Sequence, residues 1–447
     1  MSFLLAFWGG ALRLAAQGSL EPPGAPAPTQ KSLQEIWDEV ADLKSGAISS
    51  LEGKVDALAA QVAALKSESE AREAAAAQQA PFWDHIATVM GAVLPWEITE
   101  IADTQVGSVA SMRHSLAFSP DGQPAVAFYD DVDGTTSALK FATFDGSAWQ
   151  VTTVATDVAV GRNPSLAFSP SGEPAIACLG DGDVLKFYVR SNGLWTVANV
   201  AGNIEPTAPV SLVYLSNGLP RIGVQSAFGT SVVLVSSDPG GAAGSWTTET
   251  AFSSSAEFTG LVVDALDRVW CFANNPVNKR FKYRILKTVG GWEPEAEFAG
   301  HGSTSVYANE HSVGVSLSLR PYVVPSLGPS SAVVIYRDSG DGWISHLLDN
   351  NPFTSQTPPA IAFSPARQPC VAYFDGNSRQ IIFATHDGEN WHHQPVTNES
   401  VAAVSSSNPA SGAELSLAFS PDGRPAIVYH DAHGRIYFAI RQHLTTP

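Results

Sequence analysis

From about residue 111 the chain repeats itself roughly every 50 residues, and repetition at this period constrains the fold more than any other feature. The clearest copies begin HSLAFSPDGQPAVAFYD (114–130), PSLAFSPSGEPAIACLG (164–180), PAIAFSPARQPCVAYFD (359–375) and LSLAFSPDGRPAIVYHD (415–431). Weaker copies start at Val210, Thr259 and Val313. Each parses as four short strands. A Ser-Pro-Asp-Gly type turn joins the first two, a variable loop joins the second and third, and an Asp-Gly or Asn-Gly turn leads to the fourth. Such dipeptides between apolar runs favour tight hairpins. Proline at the start of the second strand sits where a sheet tolerates it.

A tryptophan opens each fourth strand: Trp149, Trp195, Trp246, Trp292, Trp343 and Trp391. The last repeat ends after three strands, and its missing fourth matches the segment from Trp96, which lies before the first repeat. The expected fold is therefore an all-β seven-bladed β-propeller (95–443) of four-stranded antiparallel blades. The N-terminal strand closes the last blade, which removes an open sheet edge. The seven Trp residues are read as packing between blades.

The segment before the ring reads differently. Residues 3–16 are apolar and small, so 1–18 resemble a signal or hydrophobic segment. Residues 19–31 form a Pro-rich linker. Across 32–80 apolar residues recur at helical spacing, with Ile48, Val55 and Val62 at heptad position a and Leu51, Leu58 and Leu65 at d. This pattern predicts an α-helical coiled-coil stalk, a parallel dimer or trimer, followed by a neck helix within 81–94. The expected location is secreted or at the cell surface, with no confident membrane span.

Net charge is −18 with 15% charged residues. That balance argues against nucleic-acid and anionic-lipid partners, which need clustered Lys and Arg. Cys178, Cys271 and Cys370 lie in apolar runs without metal-ligand spacing and read as buried thiols.

The 2–3 and 4–1 loops vary between repeats, whereas the 1–2 and 3–4 turns are alike. The stalk feeds the closing strand on the side of the alike turns, so the variable face is expected to point away from it and to bind ligand. Candidate ligand-binding residues there are Tyr129, Asp130, Asp131, Asp133, Asp181, Asp183, Asp375, His430, Asp431 and His433. Asp131-Val-Asp133-Gly134 lacks the spaced ligands of a calcium loop, so turn capping is favoured over calcium. No cofactor or metal is expected, and no catalytic residue is assigned.

THDGENW (385–391) and TFDGSAW (143–149) resemble the Asp-box turns of sialidases, but lack the residue between Asp and Gly. The repeats over 95–443 look like bacterial secreted or surface seven-bladed propeller proteins, lectin-like ones among them. That resemblance implies a propeller and a sugar between blades or on one face; it carries over no site residue. The leading expectation is an oligomeric extracellular adhesion protein that recognises glycan or a surface protein and leans away from enzymatic activity. The alternatives are a glycoside hydrolase or lyase with a carboxylate site on the loop-rich face, and a structural envelope or appendage subunit.

Overall fold

The structure is a computed structural model. It describes nine residues scattered through 34–60 and then Pro95 to Gln442, except 105–112, 134–135, 254–255, 257, 276, 288–290, 301–304, 329–331, 339–342, 350–356, 376–377, 387–388, 398–413 and 432. The chain divides into two compact units, Met1–Lys66 and Ser67–Pro447.

In the first unit Gln34, Glu35, Trp37, Asp38, Asp42, Gly53, Lys54, Asp56 and Ala60 are helical and exposed. Gln34 donates to Asp38 one turn on, at 2.9 Å. No run of seven or more described residues forms a helix. Every residue of the expected heptad seam lies outside the described residues, as do the signal-like segment, the Pro-rich linker and the neck helix. Among the described residues no helix is long and apolar enough to cross a membrane.

The second unit is an all-β propeller. Its first sheet joins β2 (His114–Phe118), β3 (Pro124–Asp131), β4 (Ser137–Phe144) and β5 (Trp149–Asp157). The next joins β6 (Arg162–Phe168), β7 (Pro174–Leu179), β8 (Leu185–Ser191) and β9 (Leu194–Ala201). Then come β10 (Ser211–Tyr214), β11 (Pro220–Gln225), β12 (Ser231–Ser236) and β13 (Trp246–Phe252). They are followed by β14 (Gly260–Val263), β15 (Val269–Asn275), β16 (Arg280–Leu286) and β17 (Ala296–Gly300). An irregular sheet holds β18 (Ser305–Tyr307), β19 (Val313–Val315), β20 (Pro321–Val323), β21 (Ser326–Gly328), β22 (Ala332–Asp338) and β23 (Trp343–Asp349). Next are β24 (Ala360–Phe363), β25 (Pro369–Asp375), β26 (Gln380–His386) and β27 (Trp391–Pro395). In the final sheet β28 (Ser416–Phe419), β29 (Pro425–His430) and β30 (Arg435–Arg441) take β1 (Trp96–Asp103) as their fourth strand, with Trp96 opposite Arg441.

The expected fold class is corrected on two counts. Six sheets, not seven, follow the four-stranded antiparallel pattern, and the sheet of β18–β23 has six strands. Pro325, which has no N–H to donate, separates β20 from β21. Residues 308–312 separate β18 from β19, and the segments pair as β18 with β21 and β19 with β20. The described residues also contain no helix of the length that a coiled-coil segment requires.

The repeat explains how the ring is stitched. The Ser of the Ser-Leu pair that recurs in the first strands accepts from the backbone of the next sheet. Ser115 Oγ takes Leu166 N–H at 3.0 Å, Ser165 takes Leu212 at 2.9 Å and Ser211 takes Leu261 at 2.9 Å. Four of the tryptophans pack edge-on against a third-strand Phe of the preceding sheet. Trp149 meets Phe438 at 5.1 Å, Trp195 meets Phe141 at 5.2 Å, Trp246 meets Phe187 at 5.2 Å and Trp96 meets Phe383 at 5.4 Å. Such edge-to-face pairs add about 0.5–1.5 kcal/mol each beyond area burial. Apolar clusters therefore lie between sheets, as where Phe141, Leu139 and Ala127 pack with Ile176 and Tyr188.

Candidate functional site

First strands begin, and second strands end, on the side of the 2–3 and 4–1 loops. There the irregular sheet departs from the repeat. Between β18 and β19 the chain forms a short 3-10 turn, Glu310–Ser312. Asn309 holds it as a capping box: its side chain accepts from His311 N–H at 3.0 Å, and its own N–H donates to Ser312 Oγ at 3.1 Å. Ser312 Oγ donates to the Pro359 carbonyl at 2.7 Å. The turn packs against β14 and β24, the inner strands of the flanking sheets.

From there it reaches the final sheet. Asn309 Nδ2 donates to Glu414 Oε1 at 2.8 Å, and Arg113 Nη1 donates to the same oxygen at 3.0 Å. Glu414 Oε2 takes His114 N–H at 3.3 Å. Ser416 Oγ lies 3.2 Å from His311 Nε2 and 3.3 Å from His114 Nδ1, and donates to the His114 carbonyl at 3.1 Å. The His114 and His430 rings meet edge-on at 5.8 Å. Three sheets thus contribute Arg113, His114, Glu310, His311, Glu414, Ser416 and His430 to one cluster.

The cluster is buried but reaches the surface through the Arg113 and His311 side chains, 27% and 16% exposed. Burial and the neighbouring Glu414 charge push the Glu310 carboxyl up to about 8, so it is largely protonated at neutral pH. Burial lowers His430 to about 4, and lowers His114 and His311 as well, so the three imidazoles are neutral. Arg113 and Glu414 face each other at 3.0 Å. Glu310 Oε2, His114 Nε2 and both ring nitrogens of His430 are buried without a hydrogen-bond partner among the described residues.

The residues singled out from sequence fall in several places. Tyr129, Asp130 and Asp131 end β3. Burial raises the Tyr129 phenol, and Asp130 lies 3.7 Å from Lys140. Asp133 accepts from Thr136 N–H at 2.6 Å, which is turn capping. Asp181 and Asp183 form a 3-10 turn, where Asp183 pairs with Arg162 at 3.2 Å. Asp375 accepts from Ser378 Oγ at 2.7 Å. Asp431 pairs with Arg435 at 2.7 Å and accepts from His433 N–H at 2.8 Å; His433 itself is exposed. His430 alone of this set joins the axial cluster. Among the described residues no three His, Cys, Asp or Glu side chains are grouped to hold a metal.

Sequence reasoning missed Arg113, His114, Glu310, His311 and Glu414. Two signals were present: His114 stands at a first-strand start otherwise taken by Pro in two of the clear copies, and Asn309-Glu310-His311 interrupts the weakest repeat.

A second feature lies on the opposite side, between the first and final sheets. A cleft with about 110 Å³ of free volume is lined by Phe118, Phe144 and Phe438, with Glu97, Thr99 and Arg424 among its polar groups. Thr99 Oγ1 is fixed there by Trp149 Nε1–H at 3.0 Å, and Arg424 by Asp422 at 3.0 Å.

No protein-family model matches the sequence, and no curated protein matches it. Among solved structures, a mutant of AofleA from Arthrobotrys oligospora is 13% identical, with TM-score 0.47, covering 68% of this chain and 90% of its own. A fungal lectin from Aleuria aurantia, described as a six-bladed β-propeller with a fucose recognition mode, is 16% identical, with TM-score 0.39, over 64% of this chain and 95% of its own. A putative 6-phosphogluconolactonase from Bacteroides uniformis is 13% identical, with TM-score 0.43, over 63% and 86%. These are likenesses of fold alone.

Proposed function

We propose that the protein is a carbohydrate-binding propeller, acting outside the cell or at its surface, that holds a saccharide in the cleft between its first and final sheets. One observation supports this reading above others: three phenylalanines line the cleft beside Arg424, Glu97 and Thr99. A sugar presents an apolar C–H face and a rim of hydroxyls. Small-ligand sites pair a mostly apolar lining with a few placed polar groups in the same way. Aromatic side chains offer the apolar face, and charged planar groups make the stronger hydrogen bonds to hydroxyls.

A glycosidase reading would need a free acid and a free base. Glu310 fits the acid. Glu414 does not fit the base, because Arg113, Asn309 and the His114 N–H occupy its carboxylate. Binding is therefore the better-supported role.

A glycan array probed with the full chain, followed by calorimetry on the best saccharide, tests the proposal. Arg424→Ala and Phe144→Ala are each expected to weaken binding about tenfold, or roughly 1.4 kcal/mol. Absence of saccharide binding by the folded chain, or affinity unchanged in both variants, would overturn it.

A further inference from the structure

The axial cluster stands apart from the cleft. Burying a polar atom without a partner costs about 1–3 kcal/mol, and natural cores leave few such atoms. Here four lie together, on Glu310, His114 and His430. His430 is 0% exposed and His114 1% exposed, and their rings meet edge-on at 5.8 Å. The repeat does not require this arrangement. It exists because 308–312 leaves the ladder and brings Glu310 and His311 to residues of two other sheets.

We propose that this cluster is a binding site for a small carboxylate. The chemistry of its groups selects the charge. Four basic side chains, Arg113, His114, His311 and His430, stand against Glu310, Glu414 and, beside His430, Asp431. Asp431 is already paired with Arg435 at 2.7 Å, and Glu414 is paired with Arg113 at 3.0 Å. Of the remaining groups, the Glu310 carboxylic acid and one N–H of His430 can donate as they stand; His114, whose Nδ1 faces Ser416 Oγ at 3.3 Å while that hydroxyl donates to the His114 carbonyl, donates through Nε2 once it takes up a proton. A carboxylate accepts such donors through both oxygens. An anion entering a buried site stabilises a nearby cation, so an imidazole takes up a proton as the carboxylate binds. A neutral polyol would bind without that proton. In a chain of net charge −18, the site is a local concentration of basic groups. The position fits entry from the loop face, where Arg113 and His311 have exposed surface.

The test uses the full chain with three probes: acetate, galacturonate and galactose. Calorimetry from pH 5.5 to 8, in buffers of differing ionisation heat, measures proton uptake. Uptake of about one proton is expected with either carboxylate and none with galactose, with affinity falling up to about tenfold per pH unit as pH rises. Galacturonate binding more tightly than acetate would identify an acidic sugar as the source; equal binding would identify a simple carboxylic acid. Histidine-selective ¹⁵N spectra of the wild-type chain should show an imidazole becoming protonated on addition. His430→Gln should abolish the uptake and weaken binding about tenfold, while leaving binding at the Arg424 cleft unchanged. The spectra of the unaltered chain decide the question even if the variant does not fold. Equal affinity for galactose and galacturonate, or carboxylate binding with no imidazole protonation, would overturn the proposal, as would no carboxylate binding at any pH.

Discussion

The sheet of β2–β5 and the sheet of β18–β23 derive from the same repeat and end up doing different work. In the first, β2 pairs with β3 without a break from His114 to Phe118. Its core side chains are fully buried, and its Ser115 takes the next sheet's N–H at 3.0 Å. In the second, the inner lane splits, and the five residues between its halves leave the ladder to carry Asn309, Glu310 and His311 towards Glu414 and Ser416. Regular sheets hold the ring, and the irregular one brings ionisable chemistry into it.

The largest expected effect breaks the regular side. Phe141 is 2% exposed and packs against Trp195 of the next sheet. Phe141→Ala should cost about 3–5 kcal/mol, read by chemical denaturation. A loss below about 1 kcal/mol would mean that neighbouring sheets are not held by these aromatic contacts.

The next prediction tests the irregular side through pH. Glu310 is raised from 4.5 to about 8, so the folded state holds its proton more tightly than the unfolded state does. Its contribution is fully present below pH 4.5 and is lost as pH rises towards 8. His430 is lowered from 6.5 to about 4, so its contribution is present above pH 6.5 and lost as pH falls towards 4. Stability should therefore peak near pH 5–6.5 and fall on both sides, by an order of about 1–3 kcal/mol. Glu310→Gln should remove the alkaline limb and leave stability rising to a plateau above pH 6.5, as the His430 term alone requires. Thermal melts across pH 4–8.5 check both; a wild-type profile without an alkaline limb would show that Glu310 ionises freely.

A smaller effect tests how the turn is seated. A Cβ added at Gly260 of β14 would meet Val313 Cγ2 at 2.7 Å and lie 3.5 Å from the Glu310 Cα. Gly260→Ala should cost about 1–3 kcal/mol through overpacking, and shift the imidazole resonances of His311 more than those of exposed His433. Unchanged His311 resonances would mean that the turn is not seated on β14.

Much of the ring was legible because its causes are local and repeated. Alternation, Pro at second-strand starts and Trp at fourth-strand starts each fix a position within one blade, and the displaced Trp96 strand follows from the count of strands; Trp292 is the exception, standing before β17 (Ala296–Gly300) and bridged singly to Leu286. The axial cluster was not legible, because its members are far apart in sequence: Asn309 and Glu414 are separated by 105 residues, and Arg113 and Glu414 by 301. The Asp residues that drew attention mostly cap turns, as Asp133 and Asp431 do. Their local hydrogen bonds are what a short polar side chain at a turn usually makes. His430 drew attention as part of a loop triplet, whereas its significance comes from the buried face it shares with His114.

The smallest predicted effect asks whether the repeat's glycine or its ladder sets the first turn. Gly122 has φ +90° and donates to the Ser119 carbonyl at 2.9 Å. In the sixth copy Arg367 occupies that position, at φ +68°, and makes the same bond to Ser364 at 2.7 Å. The backbone is thus held in the left-handed region without glycine, at a local cost of about 1 kcal/mol or more. Arg367→Gly removes that cost but adds unfolded-chain freedom worth about 0.4–1 kcal/mol. The two nearly cancel, so a net gain of about 0.5 kcal/mol is expected. Gly122→Ala meets only Pro421 Cδ and Cγ at 3.7–3.8 Å, so its strain of about 1 kcal/mol, offset by about 0.4–1 kcal/mol of lost unfolded-chain freedom, should leave a net loss of about 0.5 kcal/mol or less. If Arg367→Gly instead destabilises by more than about 1 kcal/mol in denaturant melts, Arg367 contributes contacts that offset its strain, and the sixth copy departs from the repeat in energy as well as in sequence.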